Sequence, residues 1–247
     1  MRAFFMLFLM LSSYIVLGQD TIYFRKNHEQ VDKNQAEYYR VINKGTKVSD
    51  LVIKETYFIT GNKESEIFTL YDPIKKVEDS ISFSYFKTWH KNGNLKSLIC
   101  KRDGKFSDTL KTYWENGSLK RKDFFKGGNL ITGHCYDSLG VEISHFDYEI
   151  RPQYPGGDEN LLSTIGSKIQ MSKFIRDNGL KIRIIVRFAT DEGGNVTNVS
   201  MLEGYNKEVD DAAIKVISQL RKFKPALLDG VPVKFWYMVP INLKVIN

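Results

Sequence analysis

Ten residues from Lys87 to Lys96, KTWHKNGNLK, recur 24 positions later as KTYWENGSLK from Lys111 to Lys120, and Gly104 recurs at the same interval as Gly128. Two such similar stretches in one chain adopt the same local structure, and the residues say which. Extended residues run into Asn92-Gly93 or Asn116-Gly117, the glycine supplies the positive φ of a hairpin turn, and a second extended run follows. A third unit, Cys135–Gly140, keeps Tyr136 four positions before its glycine, as Trp89 precedes Gly93 and Tyr113 precedes Gly117. Tyr57–Gly61 reads as a degenerate earlier copy. Asp103-Gly104 and Gly127-Gly128 supply return turns. No such hairpin buries its aromatic face alone, so the units have to stack as an antiparallel meander. Residues 81–148 hold the repeats, and residues 19–80 read as an N-terminal cap.

The last third of the chain, residues 151–247, has a different rhythm. Lys181–Phe188 alternates Ile182, Ile184, Val186 and Phe188 against Lys181, Arg183 and Arg187, the period of a half-buried strand. Asp191 to Asn195 turns the chain into a second strand, Val196 to Leu202. Asn206 then N-caps a helix with Glu208, Asp210 and Asp211 in its first turn, Arg221 and Lys222 in its last, and a buried face of Val209, Ala213, Val216, Ile217 and Leu220. Pro225 is expected to stop that helix, and Val231 to Val245 to close the domain as one long strand. The fold class that results is α+β: an all-β repeat meander followed by a small domain of antiparallel sheet and helices.

Composition bounds the rest. Hydrophobic residues at 42% and aromatics at 13% are enough to fill two cores. The net charge of +7 is concentrated, because Lys87 to Lys126 holds eleven cations against Asp103, Asp108, Glu115 and Asp123. Residues 1–18 read as a secretory signal, with Arg2 ahead of an apolar Ala3 to Leu17 and with Val16 and Gly18 small enough for cleavage before Gln19. An uncleaved anchor is the alternative, although about fifteen residues reach only roughly 23 Å against a hydrocarbon core of roughly 30 Å. Export sets the basic, aromatic-interleaved band apart from nucleic acid. It leaves a solvated sheet face, or a site for anionic glycan or lipid headgroups at Lys87 to Lys126, as its readings.

No residue pattern for catalysis emerges, so an enzyme is not expected. His28, His90, His134 and His145 lack zinc-site spacing, and no nucleophile elbow, H-E-x-x-H or phosphate-binding loop occurs. No metal and no cofactor is expected. Cys100 and Cys135 fall three strands apart in a sequential meander, roughly 14 Å, beyond the reach of a disulfide, and are expected to be free and buried.

The closing strand carries the sharpest local inference. Pro240 has no N–H and belongs at an edge, and Lys234, Trp236 and Met238 stand opposite Phe235 and Tyr237. An edge strand of this kind accepts an extended peptide by strand addition, or else Trp236 merely covers the helix or the N-terminal segment. The candidate site is Val233, Lys234, Phe235, Trp236, Tyr237, Met238, Val239 and Ile241.

Two resemblances refine this reading. Trp89 with Asn92-Gly93, Tyr113 with Asn116-Gly117, and Gly104-Lys105 resemble the second type of MORN repeat, imperfectly in the first unit, where Asp108 and Thr109 replace a glycine; similar proteins use such repeats as interaction surfaces. Tyr154-Pro155-Gly156-Gly157, Asn178-Gly179-Leu180, Gly194-Asn195-Val196, Phe223-Lys224-Pro225-Ala226, Gly230-Val231-Pro232-Val233 and Val239-Pro240-Ile241 together resemble the C-terminal domain of TonB, in the form common in Bacteroidetes. Gln170-Met171 and Ile182 depart from that family's pattern. The resemblance implies a three-stranded antiparallel sheet packed on helices, its final strand available to the TonB box of an outer-membrane transporter. With a cleavable leader and six prolines for an arm, the expected role is a periplasmic binding or adaptor protein. A membrane-anchored energy transducer and a glycan- or envelope-binding repeat protein are the alternatives, and the oligomeric state stays open. N-terminal sequencing of protein from cells is expected to begin at Gln19; Met1 or Arg2 in the membrane fraction would favour the anchored form.

Overall fold

The computed structural model describes residues 20–26, 29–43, 51–72, 77–169 and 181–244. The leader, Gln170-Met171, Asn178-Gly179-Leu180 and Val245 lie outside them. The chain divides into two compact units, residues 1–145 and 146–247. Among the described residues the architecture is mostly β with two α-helices.

In the first unit the strands are β1 (Asp20–Phe24), β2 (Tyr38–Asn43), β3 (Leu51–Phe58), β4 (Lys63–Asp72), β5 (Val77–Trp89), β6 (Leu95–Arg102), β7 (Lys105–Phe106), β8 (Asp108–Tyr113), β9 (Leu119–Lys126), β10 (Asn129–Tyr136) and β11 (Glu142–Ile143). They form one antiparallel sheet in chain order, with the short β7 attached only to β6. The sheet passes without a break across residue 80, because β5 spans it.

One turn builds this sheet four times. At Phe58–Asn62, His90–Asn94, Trp114–Ser118 and Asp137–Val141 the first residue's N–H donates to the last residue's carbonyl. The glycine in fourth place, Gly61, Gly93, Gly117 or Gly140, donates back to the first residue's carbonyl at φ between +86° and +97°. This is a three-residue loop closed by a left-handed glycine. A bulge follows at Thr56/Tyr57, Thr88/Trp89 and Thr112/Tyr113 alike. The return turns at Asp103-Gly104 and Gly127-Gly128 have positive φ at both residues, the two-residue hairpin form. Asp108, where the repeat pattern has lost its glycine, still holds φ at 62°.

The asparagines do more than turn the chain. Asn92 and Asn94 both donate from Nδ2 to the carbonyl of Glu115, at 2.7 and 2.8 Å, and Asn116 donates to the carbonyl of Ser138 at 3.0 Å. Asn62 reaches the carbonyl of Lys91 in the same way. The ring nitrogens of His90 and Trp114, equivalent positions in the two copies, reach the carbonyls of Tyr113 and Tyr136. Each turn is thereby stitched to the next.

One face of the sheet is buried although it is rich in hydroxyls: Thr56, Ser65, Thr69, Ser84, Ser97 and Thr112 are all under 9% exposed. Pairs such as Thr88 with Ser97, 2.7 Å apart, satisfy hydroxyls locally. Arg121 and Asp123 lie on this face as a fully buried ion pair at 2.8 Å, joined by His145 at 3.0 Å from Asp123. Gly133 makes room for that histidine, since a Cβ there would run into its ring. Both cysteines are free, on β6 and on β10 three strands away. Cys135 is buried, whereas Cys100 is only half-buried, because it lies on the other, open face.

The second unit contains β12 (Glu149–Ile150), α1 (Gly157–Lys168), β13 (Lys181–Thr190), β14 (Val196–Glu203), α2 (Lys207–Ser218), β15 (Ala226–Leu228), β16 (Val231–Val233) and β17 (Phe235–Lys244). One antiparallel sheet has the order β14-β13-β17 and a smaller one the order β12-β15-β16. Ile182, Ile184, Val186 and Phe188 of β13 pack with Val239, Ile241 and Leu243 of β17 against Leu161 and Ile165 of α1 and Val209, Ala213, Val216 and Ile217 of α2. Each such side chain contributes about 1.5–3 kcal/mol by leaving water.

Two sequence expectations are corrected here. The helix α2 is capped as expected, Asn206 Oδ1 accepting from Val209 N–H at 2.9 Å, but it ends at Ser218, well before Arg221, Lys222 and Pro225. Gln219 and Leu220 tighten the last turn by donating to Val216 and Ile217, and the next residues are captured elsewhere: Phe223 N–H by Gly194, Lys224 N–H by Gln153. Asp211 lies in the second turn, paired with Lys207 at 2.9 Å. The expected single strand Val231–Val245 is two strands, because Asp229-Gly230, both at positive φ, folds β16 back on β15 and the chain changes sheets at Lys234.

The Asp191–Asn195 turn repeats the loop of the first unit, with Gly194 at φ +85°. Asp191 accepts from the N–H groups of Gly193 and Asn195 and from the Asn195 amide, which hold its carboxyl below the usual range. Gly194 is required twice, for its φ and because a Cβ would strike the Phe223 carbonyl that follows α2. Gly194→Ala is expected to destabilise this unit by about 2–4 kcal/mol. Urea unfolding followed by hydrogen exchange at the β13 amides measures it; an unchanged midpoint would refute the docking of this turn.

Candidate functional site

The central strand β13 is paired on both sides, by β14 and by β17, and β17 has no strand beyond it among the described residues. Its register on β13 is unbroken from Phe235↔Thr190 to Lys244↔Lys181. In an antiparallel ladder a residue's N–H and C=O point to the same side, and alternate residues point to alternate sides. Pro240, opposite Ile185, has no N–H to give and so belongs to the set that points away from β13. The N–H groups of Trp236, Met238 and Asn242, and the carbonyls of these residues and Pro240, therefore line the outer edge.

Side chains divide the same way. Val239 and Ile241 are buried in the core and offer the edge no side chain. Phe235 and Tyr237 share their face, half-buried, with Tyr237 stacked on Phe188 at 4.9 Å and Phe235 edge-on to Tyr237 at 5.1 Å. On the opposite face Trp236 is 42% exposed and Met238 71%. The Trp236 ring lies between the Arg187 guanidinium, 4.0 Å from its centroid, and the Lys234 ammonium at 4.8 Å. Lys234 also donates to Asn198 Oδ1 at 3.0 Å. Contacts of this kind contribute about 0.5–1 kcal/mol each at an exposed site and hold the indole in one orientation.

Val233 leaves the site. It lies on β16 opposite Ala226, in the smaller sheet, because the chain crosses between sheets at Lys234. Arg187 and Asn198 enter it. Arg187 was visible in the sequence only as a polar position of an alternating strand, and its pairing with Met238 follows from a register the sequence does not state.

Tyr237 ties the edge strand to the segment before α1. Its hydroxyl donates to the Pro152 carbonyl at 3.1 Å, and Pro152 forms part of the wall of a cleft of about 630 Å³ that also includes Ile150, Asp158 and Leu227. Burial, reinforced by the Asp158 carboxylate and opposed by Arg151, pushes the phenol up to about 12. Among the described residues no group of three or more His, Cys, Asp or Glu stands together as metal ligands, and no helix is long and apolar enough to cross a membrane.

Residues 174–245 match the family model for the C-terminal domain of the Gram-negative bacterial TonB protein. The matched stretch holds β13, β14, α2 and the edge strand β17, so this part of the chain is similar to the TonB C-terminal domain. The TonB match starts after α1, although α1 contributes Leu161 and Ile165 to the same core. Neither the curated proteins nor the solved structures searched contain a match to the chain.

Because the folded-state pKa of Tyr237 lies above its unfolded value, the stabilisation from its neutral form is complete below about pH 10 and is lost as pH rises through about 12. Tyr237→Phe is expected to remove the last phenolate step from an alkaline absorbance titration and to flatten the fall in stability between those values. Loss of the bond to Pro152 is expected to cost about 1 kcal/mol at neutral pH. A last step that persists in the variant would assign the raised phenol to another tyrosine.

Proposed function

We propose that the C-terminal unit captures an extended segment of another envelope protein by pairing it with the outer edge of β17, and that the chain works as an exported adaptor in the periplasm. The observation that carries this is the edge itself: a ten-residue strand with one side unpaired among the described residues, three N–H groups directed outward, and Trp236 and Met238 exposed beside them. Main-chain hydrogen bonds give such capture its affinity and side-chain contacts its selectivity. The TonB match supports an outer-membrane transporter as the class of partner. A membrane-anchored transducer would use the same edge, and the N-terminus of the protein in cells separates the two.

Met238→Pro tests the edge directly, since it removes an outward N–H and leaves the bonds to β13 in place. Peptides from the TonB-box segments of transporters are expected to bind the wild-type chain, to bind Trp236→Ala at least about ten-fold more weakly, and to lose binding to Met238→Pro. On binding, the amides of Trp236, Met238 and Asn242 are expected to gain protection from hydrogen exchange. Equal binding by Met238→Pro, with protection unchanged at those three amides, would overturn strand addition.

A further inference from the structure

We propose that the open face of the repeat sheet, centred on Lys111 and Lys122, binds an anionic polysaccharide. Successive residues of a strand alternate between faces, so the register fixes which residues share this one. Lys111 stands directly opposite Lys122, and Lys122 opposite His134, on three adjacent strands about 4.8 Å apart. In β9 and β10 this face carries no carboxylate; on β8 the Asp108 carboxylate, at the start of the strand, acts on Cys100 and Tyr85 of this face. Asp123 lies on the other face, buried with Arg121. Beyond β10, Glu142 is held by His134 at 2.7 Å.

The same row behaves differently at its other end. On β3 to β5 it reads Glu55, Glu66, Lys87, and there the cations are neutralised: Lys63 by Glu55 at 2.6 Å, Lys87 by Glu66 at 3.7 Å. The sheet thus sets Glu55 opposite Glu66 in one half, where Lys63 bridges both and Lys87 pairs with Glu66, and sets Lys111 opposite Lys122 in the other. Like charges directly opposite are destabilising. A fold maintained for stability alone gains by placing an acid at either position; a face that receives an anion keeps both cations.

The residues between the lysines select the kind of anion. Tyr113 follows Lys111 on the same face, and Phe124, 43% exposed, follows Lys122. Aromatic rings stack on the C–H faces of sugar rings, and ammonium groups beside them meet carboxylate or sulfate substituents. The cations lie in mid-strand, in a row that crosses several strands, which suits a linear polymer lying across the sheet. This surface belongs to the first unit and is independent of the β17 edge.

Calorimetric titration of the full chain tests the assignment, with polygalacturonate as the anionic glycan and dextran, poly-glutamate and phosphatidylglycerol/phosphatidylcholine vesicles as comparisons. The expected result is binding of polygalacturonate that weakens as salt is raised toward about 0.15 M, with none to dextran. Lys111→Gln with Lys122→Gln is expected to weaken it at least about ten-fold while melting no lower than wild type, because a repulsive pair has gone. Lys87→Gln, which removes a neutralised cation, is expected to bind as wild type does. Phe124→Ala is expected to weaken polygalacturonate and to leave poly-glutamate unchanged. No binding of polygalacturonate, an unaffected double variant, equal or tighter binding to vesicles, or poly-glutamate bound equally well with no effect of Phe124→Ala would each overturn the proposal.

Discussion

A glycine held in the left-handed conformation at the third position of a three-residue loop closes the hairpins at Gly61, Gly93, Gly117, Gly140 and Gly194, in both units of the chain. Most of the structure depends on that restriction. The loop sets the register of its two strands, and because side chains alternate with a period of two, a slip of one residue would turn every strand inside out. The buried hydroxyl face of the first sheet and the apolar face of β13 are consequences of where these glycines stand. So are the positions of Lys111 and Lys122 on one face, and of Trp236 and Met238 on another.

What the residues reveal in advance is what local chemistry decides. The hairpins could be read from their glycines, β13 from its alternation, and the start of α2 from Asn206. What they hide is decided by distant partners. The end of α2 is set by Gly194 and Gln153 taking the backbone of Phe223 and Lys224, which no helix propensity records. The break at Lys234 depends on a change of sheets, so Val233 looked continuous with the edge strand until the pairing of Ala226 with Val233 was known. The repeats pointed to an aromatic face buried by stacking, whereas the covered face of the first sheet is lined with serine and threonine. The asparagines of the repeats looked like turn formers and prove to be cross-links as well.

The two candidate surfaces differ in kind. On the reading proposed above, the edge of β17 would recognise main chain, so much of its character comes from an atom that is missing, the N–H of Pro240, and from the two cations that fix the Trp236 ring. The face around Lys111 and Lys122 would instead recognise charge and ring planes with no backbone group. The one would need a partner already extended; the other would need only a partner that is linear and negative.

The stitched turns also determine how a chain like this can grow. Every hydrogen bond that Asn92 or Asn116 makes outside its own loop goes to the loop that follows, so each unit carries its own means of attachment. Duplication of 24 residues therefore adds two strands, one sealed loop and four or five further lysines, as residues 111–134 and 87–110 each carry, without disturbing the register of any older strand. The length of the sheet and the density of positive charge along it are inherited together, and a lineage that changes its copy number changes both in a single genetic step.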